Sequence, residues 1–268
     1  MMKKAHALLI RSAYVALLLL AAPLSNSAGK NTVNTLSDGM VYIHTARNSP
    51  KFSRGGSVLN LSQEQLIKAG GLSVDSGGKQ CAILVLSNRI ALYLAPNTKL
   101  LIKEFKQTLP FRSFLPDTAE ASRSMLELYV ESGELAAYGL NPRVTSRLRI
   151  KTPSGTFEPR ATSFIVKVTN DSVNFMLLQG RATFYGPDGK SDFIQSGQSG
   201  TVLKSDSKRL YPLKIFDNTL VDEERESDKI SMCKNALRSI EFFFDADNTM
   251  KARKLLSKDF FMRRSQSN

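Results

Sequence analysis

The chain has 268 residues and a mass of 29.7 kDa, with 37 Lys and Arg against 24 Asp and Glu. Hydrophobic residues make up 42% and charged residues 23%. That balance fits a folded body of one or two domains and excludes an acidic disordered tail, a collagen and a multi-span membrane protein. Two cysteines and two histidines exclude a Cys/His metal array, so neither a metal nor a cofactor is expected.

Residues 1–28 read as a signal peptide. Lys3, Lys4 and Arg11 precede an apolar run, Ala13–Ala22, which Pro23 breaks before the small residues Ser25, Ser27 and Ala28. The run is shorter than the ~20 apolar residues a spanning helix needs. An uncleaved anchor reaching back to Ala7 would put Arg11 in the membrane, which is costly. Cleavage near Ala28 removes three cations and no acid, so the mature chain stays strongly basic. The expected location is periplasmic or extracellular, with membrane contact only through residues 1–28 if they are retained. Export also places Cys81 and Cys233 where a disulfide can form. Two separate buried thiols are the simpler expectation, because pairing needs Cα atoms within about 7 Å.

Residues 29–56 are polar and poorly patterned and predict a flexible leader, with one short strand at Met40–His44. From Ser57 to Ser205, apolar segments of strand length are separated by Gly, Pro, Asn, Asp and Ser. Gln80–Leu86 and Arg89–Ala95 flank Ser87-Asn88 as a hairpin. Further strands are expected at Lys99–Phe105, Met125–Val130, Leu135–Tyr138, Arg147–Thr152, Ser163–Thr169, Val173–Gln179, Arg181–Tyr185, Asp192–Gln195 and Thr201–Lys204. Ser132-Gly133, Pro153-Ser154-Gly155, Asn170-Asp171 and Gly186–Gly189 read as turns between them. The expectation is a mainly β domain over 57–205, either a β-sandwich or a short β-solenoid.

Residues 206–268 change period. Thr219 and Asp222 suggest a capping box. Ile230, Cys233, Leu237, Ile240 and Phe244 recur at helical spacing, and a second helix from Asn248 would present Ala252, Leu255, Leu256 and Phe260. A helical hairpin is expected, too short to bury its stripe unless it packs on the β domain or on another protein.

The strand region resembles the FecR-type domain, the periplasmic module of iron-dicitrate sensor proteins. Gly70–Val74 with Gly77–Leu84, and Leu92–Leu100, are similar to its entry strands and Pro-Asn turn. Leu126–Leu128 with Glu131–Leu135, Ile150–Thr156, Arg160–Phe164, Leu177–Ala182 and Ser196–Gln198 are similar to its later strand–Gly elements. The resemblance implies structural roles for Thr152, Pro153, Gly155, Arg160, Thr162, Phe164, Gly180 and Gly197. Ala161 stands where the family usually has Gly, which puts the local turn in question. Family sensors join this domain to a cytoplasmic segment that handles a sigma factor. Only Met1–Arg11 precede the apolar run, so a stand-alone exported module without sigma-factor control is expected.

Catalytic chemistry is sparse. His44 is the only histidine outside the signal segment and reads as a surface residue of the leader, not as the base of a nucleophile pair. Glu127, Glu131 and Glu134 are candidates for an envelope glycan hydrolase, with solvated charge as the simpler reading. Gly77-Gly78-Lys79 lacks the rest of a phosphate loop. Arg147, Arg149 and Lys151 alternate on one strand, spaced about 7 Å apart on one face, with Arg143 before them. This stripe is a candidate contact for an anionic envelope polymer or an acidic protein surface. Export separates the chain from nucleic acid. The expected function is a non-catalytic binding, scaffold or sensor module, with the glycan hydrolase as the alternative.

Overall fold

A computed structural model of the chain describes residues 36–47, 50–79, 81–108, 123–139, 145–203, 214–217, 220–247 and 249–255. In chain order the first strands are β1 (Leu36–Asp38), β2 (Met40–Arg47), β3 (Lys51–Arg54), β4 (Ser57–Leu59), β5 (Leu66–Lys68), β6 (Leu72–Asp75), β7 (Cys81–Leu86), β8 (Ile90–Leu94) and β9 (Lys99–Thr108). There follow β10 (Ser124–Gly139), β11 (Arg147–Thr152), β12 (Gly155–Val168), β13 (Ser172–Tyr185), β14 (Ser191–Gln195), β15 (Gln198–Leu203) and β16 (Lys214–Asp217). Helix α1 (Leu220–Arg238) and the strands β17 (Ile240–Phe244) and β18 (Met250–Lys254) complete the described chain. The protein is mainly β.

Three long strands, β10, β12 and β13, each serve two layers. The first layer runs β16–β15–β13–β12–β10–β8–β7–β2–β5, using Ser172–Leu177, Ser163–Val168 and Gly133–Gly139 of the long strands. The second runs β14–β13–β12–β11–β10–β9, using Arg181–Tyr185, Thr156–Arg160 and Ser124–Ser132, and continues from β9 through β6, β3 and β4. Inward residues of both layers, among them Leu84, Leu128, Ile150, Phe157, Phe164 and Phe175, form one core. Strands that change layer through bends are how a sandwich turns its corners.

The sequence reads Ser132-Gly133 and Gly180 as turns between separate strands; the structure makes each a bend within one. Gly133 has φ +89° and Gly180 has φ +115°, and the β9–β10 register shifts between Val130 and Ser132. A backbone free of Cβ can enter this region and re-aim the strand without reversing it. Ala161 lies inside β12 opposite Gly180, with a register irregularity just after it, so no reversal stands at that position.

Within residues 36–54 the sequence predicts one short strand, Met40–His44; β2 contains it and runs on to Arg47, and β1 and β3 stand where only leader is expected. Val41, Ile43 and Phe52 are at most 1% exposed. Polar neighbours hide this in the sequence because both faces of β2 are covered: Val41 and Ile43 face the sandwich core, whereas Tyr42 joins a second cluster under α1. That second cluster sets Ile83, Val85 and Ala91 of the first layer against Cys233, Ala236, Leu237, Ile240 and Phe242. Double coverage explains why Ala82–Leu86 is a continuous apolar run without alternation. Arg89, at the β7–β8 turn, is 1% exposed and sends its Nη1 to the Ile240 carbonyl at 3.4 Å, tying the carboxy-terminal elements to the sheet.

The helical hairpin is corrected to one helix followed by a β-hairpin. Ile240 and Phe244 belong to β17, which pairs antiparallel with β18. The run Ile240–Phe244 is β-branched and aromatic. Asp245 closes the turn by accepting the Asp247 and Thr249 backbone N–H groups at 3.1 and 2.8 Å. Ala252 therefore sits on a strand, while Thr219, Asn248, Leu256 and Phe260 lie outside the described residues. So do the signal segment and Ala28. Both cysteines are free thiols; burial pushes the Cys233 thiol up to about 12.

His44 is on β2, not on a leader. Its Nδ1 is 2.9 Å from Thr45 Oγ1 and its Nε2 is 3.0 Å from Ser239 Oγ, beyond the end of α1. Burial first, then the Lys254 charge, holds its pKa below the ordinary 6.5, against the opposing pull of Glu64. A depressed histidine contributes stability that is complete above the unfolded value and fades as pH falls from there toward the folded value. Thermal midpoints should therefore decline as pH drops below about 6.5, and His44→Gln should flatten that decline. An identical slope in the variant would assign the titration elsewhere.

Candidate functional site

The outward face of the second layer carries the charged residues singled out in the sequence. On β11, Ile150 is buried and Arg147, Arg149 and Lys151 point outward. They do not form a free cationic stripe. Glu158 on β12 pairs with Arg147 at 3.0 Å and with Arg149 at 2.6 Å, and Glu127 on β10 pairs with Lys151 at 2.8 Å. The parallel register sets Glu127 beside Arg149 and Tyr129 beside Lys151. The result is a ladder of partly exposed ion pairs, each worth about 0–1 kcal/mol to stability. Arg143 lies outside the described residues.

A different pair of cations stands across the strands. Arg181 on β13 stands directly opposite Arg160 on β12. The β11–β12 pairing ends at Ile150–Phe157, short of Arg147, which Glu158 holds. Arg160 and Arg181 are exposed. Like charges opposite one another on neighbouring strands are unfavourable by themselves, and Glu158 is shared between Arg147 and Arg149. Sequence reasoning assigned Arg160 a structural role and passed over Arg181. The signal was there: alternation along Arg181–Tyr185 puts Arg181 on the outward face, but its neighbours could be known only from strand register.

The three glutamates of the hydrolase alternative are each engaged. Glu127 holds Lys151, Glu131 pairs with Lys99 at 3.6 Å, and Glu134 pairs with Lys229 on α1. Glu131 lines an open cleft of about 360 Å³ with Lys51, Asp75, Lys99, Leu101 and Tyr129, under the β3–β4 hairpin. Glu127 is not part of its lining. The cleft's cations and acids balance. Tyr129 is covered by Lys103, whose Nζ lies 5.2 Å from the ring centroid.

The residues given structural roles by resemblance are spread along the sandwich. Thr152 Oγ1 donates to the Gly155 carbonyl at 3.0 Å and accepts the Ser154 N–H at 3.3 Å across exposed Pro153, closing the β11–β12 turn. Phe164 is 2% exposed in the core. Gly197 lies in the β14–β15 turn and its N–H reaches the Leu177 carbonyl at 2.8 Å. The side chain of Thr162 lies outside the described residues. Among the described residues no helix is long and apolar enough to cross a membrane.

Residues 73–183 match the family model described as FecR protein. Two solved structures of a proposed anti-sigma factor from Parabacteroides distasonis ATCC 8503 are similar to the chain. One has 11% identity and a TM-score of 0.42 over 55% of this chain and 59% of its own. The other has 9% identity and a TM-score of 0.41 over 73% of this chain and 90% of its own. The chain thus spans 59% of the length of the first. No curated protein matches it.

Proposed function

The chain carries a FecR-type domain over residues 73–183, and from that premise we propose that the protein is an exported, non-catalytic recognition module of the bacterial envelope that works through protein contacts. The observation that carries this reading is the family match falling on the two-layer sandwich, whose outward face presents charge and exposed side chains for contact. Two further features agree with it. Glu127, Glu131 and Glu134 are each paired with a lysine, and Glu127 does not line the cleft that Glu131 lines. A general acid and its partner carboxylate need a common substrate space. The apolar run and small-residue cluster of residues 13–28 support export.

The test has two arms. Mass measurement of the protein recovered from a fractionated bacterium should find it in the envelope or medium with its amino terminus near Gly29. Incubation of the purified protein with cell-wall polymer should release no product. A cytosolic chain that keeps residues 1–28 would overturn export. Product release that is lost in Glu127→Gln or Glu131→Gln would overturn the non-catalytic reading in favour of the hydrolase.

A further inference from the structure

We propose that the cleft under the β3–β4 hairpin is a binding site for a neutral mono- or disaccharide, laid along the outer face of the second layer. The proposal goes beyond the recognition reading above and stands on different residues.

Strand register explains why a cleft forms there. β6 lies between β3 and β9, and β9 lies between β6 and β10. Phe52, Val74, Leu100 and Val130 of these strands are buried in the core, so the residues that alternate with them face outward. Two cross-strand lines result. In the first, Val58 stands opposite Ser53, Ser53 opposite Ser73, Ser73 opposite Leu101 and Leu101 opposite Tyr129. In the second, Lys51 stands opposite Asp75 and Asp75 opposite Lys99. Glu131, at the register shift after Val130, closes that line by pairing with Lys99 at 3.6 Å. The two serines in the middle of the first line make a low floor between taller side chains, Val58 on one side and Leu101 and Tyr129 on the other. Gly55 and Gly56, at φ +55° and +83°, form the tight turn that holds Val58 beside this floor at 80% exposure. The space is about 360 Å³, at the small end of the range for small-molecule sites, roughly 300–1,000 Å³.

The lining selects the occupant. Charges alternate in sign along the second line, with Lys51 and Lys99 against Asp75 and Glu131. A ligand with net charge therefore meets repulsion as well as attraction. A neutral molecule that both donates and accepts hydrogen bonds finds partners along the whole line, acceptors on the two acids and donors on the two lysines. Asp75 is already oriented, its Oδ1 accepting the Gly77 N–H at 2.9 Å. Among the described residues the Ser53 and Ser73 hydroxyls and the Lys51 ammonium have no hydrogen-bond or ion-pair partner. Leu101 and the Tyr129 ring supply an apolar flank. Lys103, which does not line the cleft, reaches that ring from outside it. A pyranose combines these demands in one molecule: a rim of hydroxyls that donate and accept, and an apolar C–H face. A peptide strand does not fit, because β3, β6, β9 and β10 each have strand partners on both sides here, so its backbone finds no open ladder. A polyanion meets Asp75 and Glu131 as often as the lysines.

The experiment titrates the full chain, isotope-labelled, with cellobiose and diacetylchitobiose. Their charged counterparts, cellobiouronic acid and chitobiose at mildly acidic pH, are the controls. At least one neutral disaccharide should shift the amide signals of Ser53, Ser73 and Leu101 saturably, and its charged counterpart should bind about tenfold more weakly. Ser73→Leu raises the floor and should abolish these shifts while the thermal midpoint holds. Should that variant lose its folded spectrum, Ser53→Leu serves instead. Tyr129→Ala should weaken binding about tenfold through loss of the apolar flank. Four results would overturn the proposal: neither neutral disaccharide binding at about 10 mM, tenfold above a weak millimolar site; charged counterparts binding as well as the neutral ones; shifts confined to other surfaces; or undiminished binding in both serine variants. These outcomes leave the recognition reading standing, since it rests on the family match. Asp75 and Glu131 share the cleft, so the same samples are assayed for cleavage. Release of monosaccharide that Glu131→Gln abolishes would confirm the site and remove the non-catalytic reading instead.

Discussion

Gly133→Ala is expected to lower stability by about 2–5 kcal/mol, from a positive-φ strain and a backbone clash acting together. At φ +89° a Cβ would overlap Thr98 Cα and sit 2.6 Å from the Asn97 carbonyl oxygen. Neither neighbour can yield cheaply. The Asn97 N–H donates to the Gly77 carbonyl at 2.7 Å and the Thr98 N–H to Ser76 Oγ at 2.8 Å. Thr98 Oγ1 also bridges to Glu134, donating to its carbonyl at 3.0 Å and accepting its N–H at 2.9 Å. The loop between β8 and β9 is thus bolted to β10 where that strand leaves one layer for the other. Gly189→Ala is the control. Its φ is +79° but its Cβ position meets nothing within 4 Å, so it should cost only about 1 kcal/mol. Urea unfolding of both variants separates the terms. Since a domain's whole stability is about 5–15 kcal/mol, the first variant should unfold at markedly lower denaturant. Equal midpoints would mean that the close approach at Gly133 is not rigid.

The strands from Cys81 onward were legible because the continuous apolar run of β7, the period-two alternation of later strands and the turn residues between them are local signals. What escaped the sequence was non-local. Gly133 and Gly180 are turn residues by type, and only pairing with two sets of neighbours shows that β10 and β13 run through them. Apart from the Met40–His44 strand the stretch 36–54 looked like a leader, because its second covered face, where Tyr42 and His44 meet the carboxy-terminal elements, is not a local signal. Ile240 and Phe244 fit a helical period by coincidence of spacing, and the three consecutive phenylalanines Phe242–Phe244 were the stronger cue. The site failed in a related way. Arg147, Arg149 and Lys151 were visible along one strand, but the acids that neutralise them, Glu158 and Glu127, lie on neighbouring strands. Register also sets Arg160 opposite Arg181, a pair that no local pattern reveals.

Phe157→Ala is expected to cost about 3–5 kcal/mol, the range for deleting a buried aromatic ring. Phe157 is on the second-layer half of β12, directly opposite Phe184 of β13. Its ring lies 4.7 Å from Phe175 at 20° and 5.7 Å from Phe164 at 68°, and Phe175 lies 5.1 Å from Phe184. Phe164 and Phe175 belong to the first-layer halves of the same two strands. The four rings therefore join the layers just inside the corner at Ala161 and Gly180, where the backbone ladder is irregular. Removing the central ring leaves a cavity that its neighbours, held by two layers, cannot collapse to fill. Phe157→Leu keeps most of the volume and should cost no more than about 1.5 kcal/mol. The next residue, Glu158, faces the opposite way and holds Arg147 and Arg149, so the same strand couples core packing to the charged surface. A Phe157→Ala protein that unfolds at the wild-type midpoint would show that the ring cluster does not join the layers, and the packing account of the corner would fall with it.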